Sequence, residues 1–333
     1  MTDTAVIDVL RSGVGHAYPS ATAMVMREGN VVFESAVGEV YPGQPATIET
    51  AYDLASLTKP MATCSVLWSA ICEGRVHLSD LVGPRLFPEH PLWSHVTVRH
   101  LAGHASGLPA WSDLAGDWNT LAVMQFDHPP GAQVVYSDLG YIALGRYLEL
   151  VLQAPLDELL LQVSSEFGLK TATFTPTKAA PTECTVERGL IVDEVHDPNA
   201  YALGGVCGHA GLFSTVLDVA QWGNAVLEKL YSSTTAIGAV INECWDETAG
   251  IVDSSWRLGL DSVTPGKSSA GRFFGPRARG HLGYTGTSIW MEPDQNVVVA
   301  LLTNRVHPTD HANPEIKRFR PRFHDVVAAT YFR

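Results

Sequence analysis

Ser56 and Lys59 stand three positions apart in the segment Tyr52-Asp53-Leu54-Ala55-Ser56-Leu57-Thr58-Lys59-Pro60, where an apolar stretch gives way to helical spacing. On the first turn of a helix that interval brings a hydroxyl and an amine to one face, the least equipment that turns serine into a nucleophile. Unpaired N–H groups at such a turn also favour negative charge developing nearby. Pro60 agrees with a helix start, because deeper inside it would remove a backbone hydrogen bond. A plainer reading, Ser56 as an N-cap and Lys59 as a solvated side chain, fits the same residues. A lysine with its ordinary pKa of about 10.4 is a poor base near neutral pH, so the chemical reading needs burial or a neighbouring cation to depress it.

Two further segments carry groups of the right kind. Tyr136-Ser137-Asp138-Leu139-Gly140-Tyr141 follows a loop marked by Pro129, Pro130 and Gly131 and precedes a helical run. Tyr136 therefore projects from a turn, as a proton relay or as a packed ring with a satisfied hydroxyl, and Asp138 suits a helix N-cap. Gly280-His281-Leu282-Gly283-Tyr284-Thr285-Gly286-Thr287-Ser288 leads into a strand pattern. Its glycines let a ligand approach the backbone, and a strand-edge N–H there could join that of Ser56 in holding an oxyanion. The same residues also make an ordinary turn at a sheet edge. His281 is available to donate a hydrogen bond or assist proton transfer.

The elements that must position these groups are legible in outline. Residues 21–27 and 31–38 read as an antiparallel hairpin about Glu28-Gly29-Asn30. Residues 287–291 and 297–303 flank a turn from Glu292 to Asn296, and the second of these strands is apolar on both faces, as a covered central strand should be. Helical spacing runs through 56–72, 138–152, 156–166 and 215–230, and Asn313-Pro314-Glu315 opens a final helix with capping chemistry. Strands near both ends with helices between them predict an α/β (α+β) fold. An antiparallel sheet flanked by helices is expected from 1–75 and 213–333, a mainly helical inserted lobe from 76–212, and a cleft where they meet.

With 333 residues and a formal net charge of -13, the chain can bury a large core but lacks the concentrated cations that nucleic acid or an anionic bilayer requires. The run Lys317-Arg318-Phe319-Arg320-Pro321-Arg322 is the one basic cluster, read as a solvated helix face with an anion-binding surface as the alternative. No membrane-spanning run is present, and the first residues lack the basic and apolar regions of a secretory leader. Five cysteines without CxxC spacing suggest buried thiols in a reducing compartment, so a cytoplasmic location is expected. GxSxG, HExxH and GxxxxGK[ST] are absent. His100 with His104, and His307 with His311, have helical metal-site spacing, but no thiolate or carboxylate completes a first shell, and a structural role is expected. No metal or cofactor is expected.

In order and separation, the three chemical segments resemble those of the serine beta-lactamase-like superfamily, in particular its branch of class C beta-lactamases, penicillin-binding-protein-like proteins and family VIII esterases. Ser56-Leu57-Thr58-Lys59 matches the SxxK motif, Tyr136-Ser137-Asp138 matches Tyr-x-Asn, and His281-Leu282-Gly283 stands where Lys-Thr-Gly or His-Thr-Gly usually occurs. The likeness extends through most of the chain. Val98-Arg99-His100-Leu101-Ala102-Gly103-His104-Ala105-Ser106-Gly107-Leu108-Pro109 is similar to the family's Arg-His-Leu-Leu-x-His-x-Ser-Gly-Leu block, and Leu203 to Ser214 to its glycine-rich segment at the lobe boundary.

The resemblance implies a beta-lactamase/transpeptidase-like fold and a serine hydrolase working through an acyl-enzyme. It implies Ser56 as the acylated nucleophile, Lys59 as its base, and Tyr136 as a relay that later helps water attack. The backbone N–H groups of Ser56 and Tyr284 would form the oxyanion hole, with Asp138, His281, Leu282, Gly283 and His209 bordering substrate. Asp138 in place of Asn accepts hydrogen bonds but cannot donate them when ionised, and suits holding Lys59 or a substrate amine. His281 and Leu282 replace the Lys and Thr that engage a beta-lactam carboxylate, so efficient beta-lactam hydrolysis is not expected. The expected partner is a small acyl donor: a carboxylic ester or related amide first, with a muropeptide amidase or D-amino-acid peptidase as the alternative. A catalytically silent peptide-binding or sensor domain is the alternative of a different class.

Overall fold

A computed structural model describes residues 2–311 and 313–332; Met1, Ala312 and Arg333 lie outside the described residues. The valine-rich segment forms the strand Val297–Thr303, buried at every position. Because strand side chains alternate, its two faces feed different cores. Val297, Val299 and Leu301 pack with Ala21, Ala23 and Val25, while Val298, Ala300 and Leu302 pack with Met24, Ile289 and Met291. Burial on both faces explains why this strand shows no polar alternation.

Seven strands make the sheet, in the order Gln44–Pro45, Asn30–Tyr41, Ser20–Arg27, Val297–Thr303, Ser288–Glu292, Arg279–Leu282 and Asp261–Ser262. All neighbours are antiparallel. Ser20–Arg27 lies against Val297–Thr303 with Ala21 opposite Thr303, so remote parts of the chain close one sheet. Its hairpin to Asn30–Tyr41 turns at Glu28 and Gly29, both with positive φ, the geometry that matches the twist of paired strands.

The helices Asp3–Arg11 and Asn313–Tyr331 cover one face with Val6, Leu10, Phe319 and Phe323. Helix Val216–Tyr231 covers the other with Trp222 and Val226. It lies close because Gly223 faces the sheet: a Cβ there would stand 2.7 Å from Val298 Cγ1. Beside this sandwich stand the helices Asp138–Leu152 and Leu156–Ser164 and the short helices Val98–Ala102 and Pro198–Ala202. One apolar core runs from Ile289 and Met291 on the sheet through Trp68 to Leu139 and Leu144.

Several expectations need correction. Residues 56–72 are not one α-helix but a 3-10 turn at Ala55–Leu57, a π-helix at Lys59–Cys64 and an α-helix at Ser65–Cys72. The helices Asp3–Arg11 and Ala236–Asp246 were not anticipated. Of the cysteines, all free, Cys72 and Cys184 are exposed, so the thiols are not uniformly buried. Among the described residues no helix is long and apolar enough to cross a membrane.

Candidate active site

Ser56 is presented by a bent backbone. Ala55, just before it, has φ +48, a region that favours glycine. Asp53 holds the bend: its carboxylate accepts the Ala55 N–H at 2.7 Å and the His196 N–H at 2.7 Å. From this turn the chain enters the π-helix, and Lys59 Nζ comes back to 2.9 Å from Ser56 Oγ.

Lys59 is fully buried, and its Nζ also donates to Asp138 Oδ1 at 2.7 Å and to the His209 carbonyl at 3.1 Å. Three acceptors match the three protons of an ammonium group. Burial alone would lower the lysine pKa, but Asp138 and then Tyr136 outweigh it and hold the pKa above its ordinary value. Lys59 is therefore an ammonium at neutral pH, which overturns the expectation that burial frees its amine. Asp138, the residue that stands in place of Asn, is the cause. The Tyr136 ring lies beside this pair, with Lys59 Nζ 4.9 Å from its centroid, and burial raises the Tyr136 pKa, so the phenol is neutral.

The opposite wall is the loop after strand Arg279–Leu282. Thr285 Oγ1 donates to the Asp53 carbonyl at 2.7 Å and Thr287 Oγ1 to the Leu54 carbonyl at 3.0 Å, tying this loop to the residues before Ser56. Arg305 Nε grips the Tyr284 carbonyl at 2.6 Å, and Arg305 also pairs with Asp310, which accepts the Tyr284 hydroxyl. Among the described loop hydrogen bonds, the Ser56 and Tyr284 amides are not used as donors. Gly283 makes the close approach possible, since a Cβ there would lie 2.0 Å from Thr287 Oγ1 and 2.5 Å from the Leu54 carbonyl. Gly283→Ala should therefore push the loop off Leu54, costing about 1–3 kcal/mol in urea unfolding and lowering kcat. An unchanged kcat would show that this seam does not matter to the site.

His281 does not behave as anticipated. Its Nδ1–H donates to the Leu282 carbonyl at 2.8 Å, leaving Nε2 as an acceptor that is buried without a partner. Burial, then Lys59, push its pKa down to about 3, so the ring is neutral and has no proton to offer at Nε2. His209 does not line the cleft. Its buried ring sits between Asp197, 2.7 Å from Nε2, and Cys207 Sγ, 3.3 Å from Nδ1, and only its carbonyl touches Lys59. Burial opposes its charge, but Cys207 and Asp197 raise its pKa to about 10, while His209, against burial, draws Asp197 down to about 2.

The signs give a stability window for that pair. The carboxylate's contribution is complete above 3.8 and is lost as pH falls toward about 2; the imidazolium's is complete below 6.5 and is lost as pH rises toward about 10. Asp197→Asn should cost about 3 kcal/mol of unfolding free energy between pH 4 and 6.5, as for a broken buried pair, and less near pH 10. A flat difference from pH 5 to 10 would contradict the pairing.

The other histidines have local duties. His100 Nδ1 accepts the Thr97 N–H in a capping box, His104 Nδ1 accepts the Ser137 N–H, and His307 Nδ1 donates to the Thr182 carbonyl. His311 is exposed beside Thr309.

Ser56, Tyr136, Asp138, His281, Leu282, Gly283 and Tyr284 all line one cavity of about 980 Å³. Its walls include side chains the sequence gave no reason to single out. Trp256 lies 5.0 Å from the Tyr136 ring and 5.3 Å from the His281 ring, and Trp111 and Arg188 stand further along. These come from irregular loops, where no periodicity marks them. Asp53 did leave a signal, an Asp two residues before a strained turn.

A family model for beta-lactamase matches residues 6–319. A Salmonella typhi protein described as "Putative D-alanyl-D-alanine carboxypeptidase" is 29% identical over 366 aligned positions, covering 92% of this chain and 83% of that protein. Among solved structures, EstCE1, a hydrolase with promiscuous acyltransferase activity, superposes with a TM-score of 0.77 at 19% identity, covering 98% of this chain and 99% of that one. The D-amino acid amidase from Ochrobactrum anthropi SV3 gives 0.74 at 17% identity, covering 98% of each chain. The family match over nearly the whole sequence and the shared fold identify this chain as a serine hydrolase belonging to the beta-lactamase family.

Proposed function

We propose that the protein hydrolyses a small carboxylic ester or related amide through an acyl group carried on Ser56. The observation that supports this most is the Ser56 Oγ to Lys59 Nζ contact of 2.9 Å at the floor of a large, mostly apolar-walled cleft. In molecules whose Lys59 has lost its ammonium proton to solvent, the amine takes the Ser56 proton, directly or through the Tyr136 hydroxyl, as Oγ attacks the carbonyl carbon. The carbonyl oxygen gathers negative charge between the Ser56 and Tyr284 amides. Collapse breaks the bond to the alcohol or amine, which leaves with the proton held by Lys59. Water then attacks the acyl carbon, passes its proton back through the same groups, and releases the acid and Ser56.

The neutral His281 and apolar Leu282 supply neither the charge nor the hydroxyl that a Lys and Thr pair offers a beta-lactam carboxylate, so nitrocefin is expected to be a poor substrate. The amide reading is favoured by the relatives described as D-alanyl-D-alanine carboxypeptidases. Asp138 adds to it, because its side chain lines the cavity and only one of its carboxylate oxygens is held by Lys59. Short p-nitrophenyl esters and D-aminoacyl p-nitroanilides, run against the protein and Ser56→Ala, test both. Turnover of either that disappears with Ser56 supports the mechanism, and faster anilide than ester turnover reverses the order of substrates. Turnover that survives Ser56→Ala removes the mechanism.

A further inference from the structure

A second cavity of about 820 Å³ opens on the far side of Leu282, under the C-terminal helix. Six cations line it, Lys267, Arg272, Lys317, Arg318, Arg320 and Arg322, against two carboxylates, Asp261 and Asp325. Arg272 is matched by Asp325 at 2.8 Å and Arg318 by Glu315 at 2.6 Å. Lys267, Lys317 and Arg322 form no ion pair among the described residues, in a chain whose net charge is -13. Cations gathered against the sign of the whole molecule concentrate anions locally.

Arg320 supplies an independent sign of a ligand. It is 5% exposed, its Nη2 donates only to the Gly283 and Thr287 carbonyls, and its Nε is buried without a partner. No carboxylate of the described residues pairs with it. A guanidinium left without a counter-charge in a buried position is costly, and an incoming anion relieves that cost. Arg320, with Leu282, Lys317 and Asp261, lines both this cavity and the cleft that holds Ser56. The two spaces are neighbours across Leu282.

We propose that this groove is a subsite for an anionic end of the acyl donor, a chain that passes Leu282 and ends in two or more oxyanions, either neighbouring carboxylates or a phosphate. This rests on the acyl-transfer reading of Ser56. The reach from the oxyanion amides to Lys267 and Arg322 then selects long, charged acyl groups over short neutral ones.

Three p-nitrophenyl esters of equal length decide it: one ending in a methyl group, one in two carboxylates, one in a phosphate. At low salt at least one charged ester should exceed the neutral one in kcat/KM by about tenfold or more, and the preference should shrink in about 0.5 M salt. Lys267→Glu with Arg322→Glu, both exposed positions outside the Ser56 machinery, should erase the preference and leave neutral-ester turnover unchanged. The better charged ester tells carboxylate from phosphate. A neutral ester as good as both, or a preference that survives the double charge reversal, overturns the subsite. If no ester is turned over, the hydrolase reading fails instead, and calorimetry with tricarballylate and inorganic phosphate judges the groove alone. Binding lost in the double variant supports it, and no binding to the native protein ends it.

Discussion

Lys59→Ala is expected to lower kcat/KM for a p-nitrophenyl ester by about three orders of magnitude, the range in which a positioned base contributes. Among the described residues no other amine is hydrogen-bonded to Ser56, and the Tyr136 phenol, neutral and raised in pKa by burial, is a poor substitute. The substitution also strands Asp138 beside an apolar cavity, so a fall in stability would confuse the result. Lys59→Ala combined with Asp138→Asn removes both charges together and should recover much of the lost unfolding free energy. Activity should not return. If the double variant regains turnover along with stability, Lys59 holds the fold and does not serve the chemistry.

Asp138→Asn alone should move the acidic limb of kcat/KM down by about one to three pH units. An opposite charge in contact raises a lysine pKa by amounts of that order, and Lys59 is held above its ordinary value chiefly because Asp138 and Tyr136 outweigh burial. In the native protein the amine needed to deprotonate Ser56 is scarce at neutral pH, and the rate should still be climbing well into the alkaline range. With Asn, burial acts unopposed by a carboxylate and the amine is freed at lower pH. The variant is then the faster enzyme near neutrality. A limb that stays in place would show that Lys59 does not set it.

How much of this was legible beforehand depends on the kind of residue. Val297–Thr303 and Asp138–Leu152 were read with the bounds they have, because an unbroken apolar run and a capped helical period are local signals. The likeness to SxxK located the Ser56 and Lys59 pair but not its backbone. An α-helix was expected, and the bend at Ala55, with its positive φ, is held by Asp53, whose carboxylate also accepts from His196, remote from it in sequence. The charge on Lys59 was misjudged. Asp138, 79 positions away, was read as suited to holding Lys59 and does hold it, but the reading of the lysine's charge weighed burial without that carboxylate. His281 was read by residue type, whereas the Leu282 carbonyl beside it decides its tautomer. Trp111, Trp256 and Arg305 reach the cleft from loops and edges, where neither period nor motif announces them.

Intact-protein mass spectrometry after exposure to an ester-like fluorophosphonate tests the central claim, that the Ser56 hydroxyl is made nucleophilic inside the folded cleft. The expected result is one phosphonyl adduct per chain, formed faster as pH rises, absent from Ser56→Ala and strongly slowed in Lys59→Ala. No adduct on the native protein, or equal labelling of Ser56→Ala, would contradict it.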